Sequence, residues 1–418
     1  MKRDRRELAE RIIEAEIYLY IAFMFITKGE AIRNILIFSS FGLWLLTLRH
    51  RENRWILKEP LSLVYWGFIA TILISVVFSI DPFYSLASLR VHPLKSVMMF
   101  CLFSTVLARE AALKRFVWLS LVMLIFTLAS GYYSYIVYDL PMMKPVTVLR
   151  HAWHSQFAVD INTLLPFTLA GLWIIRDARV KSLIVCVAVL SVSALILSTS
   201  RGGWGAFLAA ASVWIIYLVK NQRLSPRKVA AGFLVLVAVS GMVVLSSERT
   251  QKRLMNIKRD LKTFTKRTYI WGPLVAAAQQ RPLSGWGYGP DIFKVDRPFQ
   301  DTEFKEAPIK RKAAFRNPHN PFLAAWFHQG IPGLVMYTAL LLSAVWTFGR
   351  EAFSTFNFRC IFLAACTSVL VGTYLVNAIV ENSHLTELTL VLGIGLAARY
   401  MNHECGDTEK KVHLPRRS

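Results

Sequence analysis

The chain has 418 residues, 55% of them hydrophobic and 18% charged, with a mean hydropathy of +0.42. A soluble chain carries about 45–50% apolar and about 25% charged residues, and here the apolar excess falls in long blocks between short charged stretches. That excludes a disordered chain, a secreted disulfide scaffold and a cytosolic enzyme, and predicts an all-α polytopic membrane protein. The net charge of +23 comes from 49 Lys and Arg against 26 Asp and Glu. In a multispan protein such a surplus sets topology, so no nucleic-acid partner is expected. The five cysteines (Cys101, Cys186, Cys360, Cys366 and Cys405) show no metal-ligand spacing and predict no disulfide.

A span needs about 20 mostly apolar residues. Twelve blocks qualify, at 12–27, 31–48, 61–80, 94–108, 113–135, 157–175, 182–200, 202–219, 229–247, 322–348, 360–380 and 385–402. The basic start, Met1 to Arg11, leads into the first block without a small-residue cleavage site, so that block is expected to stay as a helix. It carries Glu14 and Glu16; the fourth block is short, and the tenth is long and broken by Gly330, Pro332 and Gly333. The chain then divides into 1–247 with nine helices, 248–321 as an external domain, 322–402 with three helices, and a tail over 403–418. With both termini inside, the inner segments hold 26 Lys and Arg, and the short outer connections hold seven. That is the positive-inside bias.

The segment 248–321 breaks the pattern, with 16 Lys and Arg against seven Asp and Glu. Long loops translocate largely regardless of charge, so the topology stands. Residues 251–280 alternate basic and apolar side chains at helical intervals, which predicts an amphipathic helix. A basic amphipathic helix suits an anionic membrane surface or an anionic ligand, and the segment reads as a folded lid.

Three positions on the outer side are candidates for chemistry. Arg201 lies in Ser198-Thr199-Ser200-Arg201-Gly202-Gly203-Trp204-Gly205, at the turn between the seventh and eighth blocks. It fits either a snorkelling interfacial arginine or an anion site, with small neighbours that leave backbone amides open. Arg267 opens Arg267-Thr268-Tyr269-Ile270-Trp271, and a guanidinium suits phosphate better than an ammonium does. It fits equally a solvated basic residue. The run Gly285-Trp286-Gly287-Tyr288-Gly289 is no dinucleotide fingerprint, since no βαβ unit surrounds it; it reads as a flexible turn, able to line a substrate groove. His319, in Asn317-Pro318-His319-Asn320-Pro321, stands where the lid re-enters the tenth block. Histidine is the side chain best poised to take a proton near neutral pH, though one flanked by prolines also fits a structural role. The spacing of His151, His154, His328 and His384 holds no zinc site, and no carboxylate cluster points to Mg²⁺, so neither a metal nor another cofactor is expected.

These residues resemble the O-antigen ligase and O-oligosaccharyltransferase superfamily. His319-Asn320, followed after nine residues by Gly330-Ile331-Pro332-Gly333 and after three more by Tyr337, is similar to that family's His-Asn and Gly-x-x-Gly-x-x-x-aromatic signature. The Ser200-Arg201-Gly202 turn and the Arg267-x-x-x-Trp271 segment, leading to Pro282-Leu283 and the glycine run, look like its two other blocks, in the right order. Where family members carry leucine four residues after the arginine, this chain has Trp271. The resemblance is strong over about 195–340; the first 150 residues share only hydropathy.

The resemblance implies a metal-independent, inverting glycosyltransferase of GT-C-like fold in the bacterial inner membrane, with about 12 spans and a periplasmic active site. Its donor would be an undecaprenyl-diphosphate-linked polysaccharide, its acceptor a sugar hydroxyl of lipid A–core. His319 would be the base, Arg201 and Arg267 would hold the diphosphate, and Asn320 would orient the histidine or a sugar. Arg90 and Arg150, also outer, are further candidates for donor or acceptor phosphates. An O-antigen polymerase, a protein O-oligosaccharyltransferase and a transporter are the alternatives. The last needs inverted repeats and midplane acidic residues; no repeat is found, and Asp160 and Glu381 fall near predicted outer ends.

Overall fold

The computed structural model describes residues 3–26, 29–246, 248–255, 268–290, 292, 318–379 and 385–401. Among these residues every long element is a helix, and an isolated antiparallel bridge joins Val146 to His151. The chain is an all-α polytopic membrane protein. Nine helices among the described residues are long and apolar enough to cross a bilayer. In chain order the helices are α1 (Arg3–Met24), α2 (Glu30–Thr47), α3 (Pro60–Val77), α4 (Pro82–Leu89), α5 (Pro93–Val106), α6 (Glu110–Val137), α7 (His154–Ile174) and α8 (Ala178–Ser198). Then come α9 (Arg201–Lys220), α10 (Pro226–Leu245), α11 (Glu248–Met255), α12 (Thr268–Gln280), α13 (Pro321–Ala352), α14 (Phe358–Val369) and α15 (Leu385–Arg399). The helix α14 continues as a π-helical turn over Leu370–Val376. The expected first, ninth and twelfth spans fold as α1, α10 and α15 and lie outside the set of nine. The short helix α4 was not foreseen; of the amphipathic helix expected over 251–280, the described residues form α11 and α12, and residues 256–267 lie outside the described ones.

Helix starts are written in the sequence. Pro60, Pro82, Pro93 and Pro321 take the first helical position, where a missing N–H is no loss. Asp81, Asp177, Ser200, Asn320 and Asn357 each accept a backbone N–H of the first turn. The carboxylates of the first block have partners. Glu14, 6% exposed, accepts from Arg109 at 2.6 Å and from Arg115 Nε at 2.8 Å. Glu16 accepts from Ser39 at 3.0 Å and Ser40 at 2.7 Å. An acid in a span is tolerated where it faces protein and finds such groups.

The core lies around α7 and α14, which are buried along most of their length. There Phe116 of α6, Phe167 and Phe362 meet with ring centroids 5.0, 6.0 and 6.4 Å apart. Lipid is as apolar as leucine, so such close packing, with interhelical hydrogen bonds, is what holds the helices together. A second, smaller apolar cluster stands apart from this core: Leu274, Ala277, Ala278, Trp286, Ile292, Leu323 and Phe327.

The connections at one end of the bundle are tied to one another. Arg150 donates to the Phe25 carbonyl, Met143 N to Leu197 O at 3.0 Å, Ile80 N to Trp286 O at 3.3 Å and Arg281 to Phe78 O at 3.3 Å. The helix α13 enters from this end and is broken at Gly330, whose backbone (φ 72°, ψ −170°) is not helical.

Candidate active site

The turn that carries Arg201 is two residues long. The helix α8 ends on Thr199 in the left-handed region (φ 56°), and Ser200 Oγ then accepts Gly203 N at 3.3 Å to start α9. Both are almost fully buried. Trp204 Nε1 reaches back to Leu195 O at 2.7 Å, and Asn162 of α7 donates to Gly203 O at 3.0 Å. A Cβ on Gly203 would stand 2.6 Å from that of Ala158, so glycine is what lets α7 approach. Arg201 is therefore the first residue of a helix, at the end where unsatisfied amides and the macrodipole favour an anion. Its side chain is half-buried.

His319 stands one residue before another helix start. Its φ is +50°, unusual for a residue with a Cβ. Backbone in sparsely populated regions costs about 1–3 kcal/mol and persists only where neighbours enforce it. Those neighbours are visible. On one side, Asn320 Oδ1 accepts Leu323 N at 3.0 Å, capping α13. On the other, Trp271 of α12 donates its indole N–H to Pro318 O at 3.0 Å. Asn320, expected to orient the histidine or a sugar, caps α13 with its side-chain oxygen.

The glycine run is not a loose turn. It fills the break in α13. Trp286 N donates to Phe327 O at 2.9 Å, Gly287 N to His328 O at 3.1 Å, and Ile331 N to Pro282 O at 2.7 Å. A helix interrupted at Gly330 leaves two carbonyls and the Ile331 N–H without helical partners, and the loop supplies two donors and one acceptor. A Cβ at Gly330 would lie 2.4 Å from Leu283 O, and one at Gly285 2.5 Å from His328 O. Two sequence blocks about 45 residues apart are the halves of one lock. Burial pushes the Tyr288 phenol above its ordinary value, so it stays protonated at neutral pH.

The helices α9 and α13 flank the same π-helical turn. Gly372 of that turn abuts Ala206 of α9, where a Cβ would meet Ala206 O at 2.5 Å, and α13 packs against the same turn. Phe322, two residues past the Asn320 cap, packs edge-on against Tyr337 with centroids 5.2 Å apart.

The remaining candidates differ. Arg150 is 2% exposed and pairs with Asp160, its guanidinium 5.7 Å from the Phe25 ring. It lines a polar cavity of about 270 Å³ with Arg33, His92, Gln156, Asp160 and Glu387. Arg90 is exposed at the end of α4, the helix whose Tyr84 and Ser88 pack against Gly289. Arg267 lies outside the described residues. Sequence reasoning missed Asp160 as the partner of Arg150, the lock between 282–287 and 327–331, and the indole of Trp271. No local pattern pointed to any of the three, since each joins segments whose contact depends on the fold.

Residues 186–338 match the family described as O-Antigen ligase, a stretch that includes Arg201, Arg267, His319 and Asn320 but not Arg90 or Arg150. The O-antigen ligase of Salmonella typhimurium strain LT2 is 22% identical over 255 residues. That alignment covers 59% of this chain and 60% of the length of the relative.

Proposed function

From a chain whose residues 186–338 match the O-antigen ligase family, we propose that this protein moves a completed glycan from undecaprenyl diphosphate onto a sugar hydroxyl of lipid A–core. The reaction takes place on the periplasmic face of the bacterial inner membrane. The observation that carries the reading is that Arg201 and His319 stand at two helix starts of the same build, a left-handed residue and a polar cap, on two helices that both pack against one π-helical turn. The bias of 26 inner against seven short-loop Lys and Arg supports twelve crossings, with those helix starts outside and both termini in the cytoplasm.

A polyprenyl donor needs an apolar bed below a cationic head. An apolar cavity of about 440 Å³ opens between α7, α8, α9 and α10, walled by Leu165, Val189, Phe207, Ala211 and Trp214. A second, of about 230 Å³, continues from Phe207 to Leu195 and Trp204, beside the Arg201 turn. In the reaction His319 takes the proton as the acceptor oxygen bonds to the anomeric carbon. The bond from that carbon to the diphosphate oxygen breaks on the opposite face, and undecaprenyl diphosphate leaves with the electron pair. One displacement inverts the centre. The diphosphate is already a good leaving group, so no general acid is required. Arg201, joined by Arg267, offsets the charge that develops on it, which is why the step is read as independent of a divalent cation.

The glycolipids of a strain lacking this gene test the reading. Unsubstituted core together with accumulated long lipid-linked polymer is the expected result. Core bearing a single repeat would instead mark a polymerase, and an unchanged profile would remove the protein from this pathway.

A further inference from the structure

Resting on the reading of His319 as the base, we propose that Trp271 is the positioning residue that aims it, through the bond from its indole N–H to the Pro318 carbonyl. That carbonyl belongs to the peptide joining Pro318 to His319. A peptide unit is planar, so holding its oxygen fixes the orientation of the plane from which the His319 backbone starts. The next residue is fixed independently, because Asn320 caps α13. Between two fixed planes His319 has little choice but its observed φ of +50°. Remove the Trp271 bond at 3.0 Å and the plane on the Pro318 side loses its anchor.

The helix that carries Trp271 is suited to the task. The other end of α12 is held by Trp286, whose indole donates to Ala277 O at 2.8 Å and whose own N–H reaches Phe327 O at 2.9 Å. Leu274 of the same helix packs with Leu323 and Phe327 in the smaller apolar cluster. So α12 is registered against the first part of α13, and Trp271 carries that register to the histidine. Leucine, which the resemblance leads one to expect at this position, would fill the space without donating. The link is a property of this chain's own tryptophan.

The test uses the full-length protein purified in detergent, with a lipid-linked glycan donor and a lipid A–core acceptor. Trp271→Phe keeps an aromatic ring and removes the N–H. Loss of a hydrogen bond is worth about 0.5–1.5 kcal/mol, so turnover should fall about 2–13-fold; with both KM values within twofold of the parent, the loss lies in aim and not in binding. In the His319→Ala background the same change should produce no further loss, since a residue acting through the histidine has nothing left to aim. Trp271→Gln places an N–H the same number of bonds from Cα as the indole nitrogen, and should retain several-fold more turnover than Trp271→Leu. Trp271→Phe at the parent rate, an equal loss in both backgrounds, a loss carried by KM, or Gln no better than Leu would each overturn the proposal. Should His319→Ala itself turn over normally, it is the ligase mechanism that falls.

Discussion

The starts of α9 and α13 are built alike and hold their functional side chains differently. Each begins with a non-glycine residue in the left-handed region, Thr199 at φ 56° and His319 at φ 50°, followed by a polar cap, Ser200 or Asn320. Arg201 comes after its cap, inside the helix, so helical hydrogen bonding fixes its backbone. Its long side chain then carries the charge. His319 comes before its cap, and its backbone lies between the Trp271 bond to Pro318 on one side and the Asn320 cap on the other. The difference suits the chemistry proposed for the two residues. A cation that steadies a diphosphate needs a place, whereas a base that takes one proton needs a direction.

The largest effect should come from removing the directed group. His319→Ala is expected to lower transfer by about 10²–10⁴-fold, the range for a positioned base, while the lipid-linked donor still binds. Turnover and donor affinity measured on the same preparation separate the two. Near-normal turnover would make His319 only a helix-entry residue, and the contrast with Arg201 would vanish.

Next is the lock that supports it. Gly330→Ala places a Cβ 2.4 Å from Leu283 O at a φ of +72°. A φ of 72° with a ψ of −170° is backbone essentially confined to glycine and costs other residues about 1–3 kcal/mol, and the overpacking costs about 1–3 kcal/mol, so thermal unfolding in detergent should come several degrees earlier and transfer should fall with it. Gly42→Ala, where nothing lies within 4 Å of the added carbon, is the control and should leave both measurements near the parent. Parental stability in Gly330→Ala would mean that the loop can leave the break in α13.

Which parts of this were legible in the sequence follows from how local each feature is. The Arg201 turn is a short connection between two apolar blocks, and its parts are neighbours in the chain, so both its place and its candidate were readable. The His319-Asn320 pair was readable for the same reason, with Pro321 marking the helix start. The glycine run was not, because its hydrogen-bond partners lie about 45 residues on and neither segment alone shows that its backbone groups need the other. Trp271 looked like apolar variation, since hydropathy records the size of an indole and not its N–H. Arg150 read as an outer cation open to a ligand; its pairing with Asp160 needs the fold of the 138–153 connection. Arg267 lies outside the described residues, and its role remains part of the proposal.

A milder effect is expected where place matters more than direction. Arg201→Lys keeps the charge and loses the planar fork that grips two oxygens at once. Transfer should fall by at least about tenfold, or about 1.4 kcal/mol of transition-state stabilisation, and the unfolding midpoint measured on the same preparation should stay at the parent value. A rate equal to the parent would leave Arg201 as an interfacial charge, and the diphosphate would have to be held elsewhere.

The smallest effects, and the most direct comparison, come from the two caps. Replacing a capping side chain with alanine costs about 0.5–2 kcal/mol. The Ser200 bond is long, 3.3 Å against 3.0 Å for Asn320, and its turn is also held by Trp204 and Asn162. Ser200→Ala should therefore fall at the low end of that range and leave transfer within about twofold. Asn320→Ala removes one of the two supports beside His319, so its loss of transfer should exceed what its loss of stability accounts for. Unfolding midpoints and transfer rates for both variants, measured at a temperature where each is fully folded, make the comparison. If the two caps lower transfer equally, His319 does not depend on its flanking backbone, and the distinction between a placed cation and an aimed base fails.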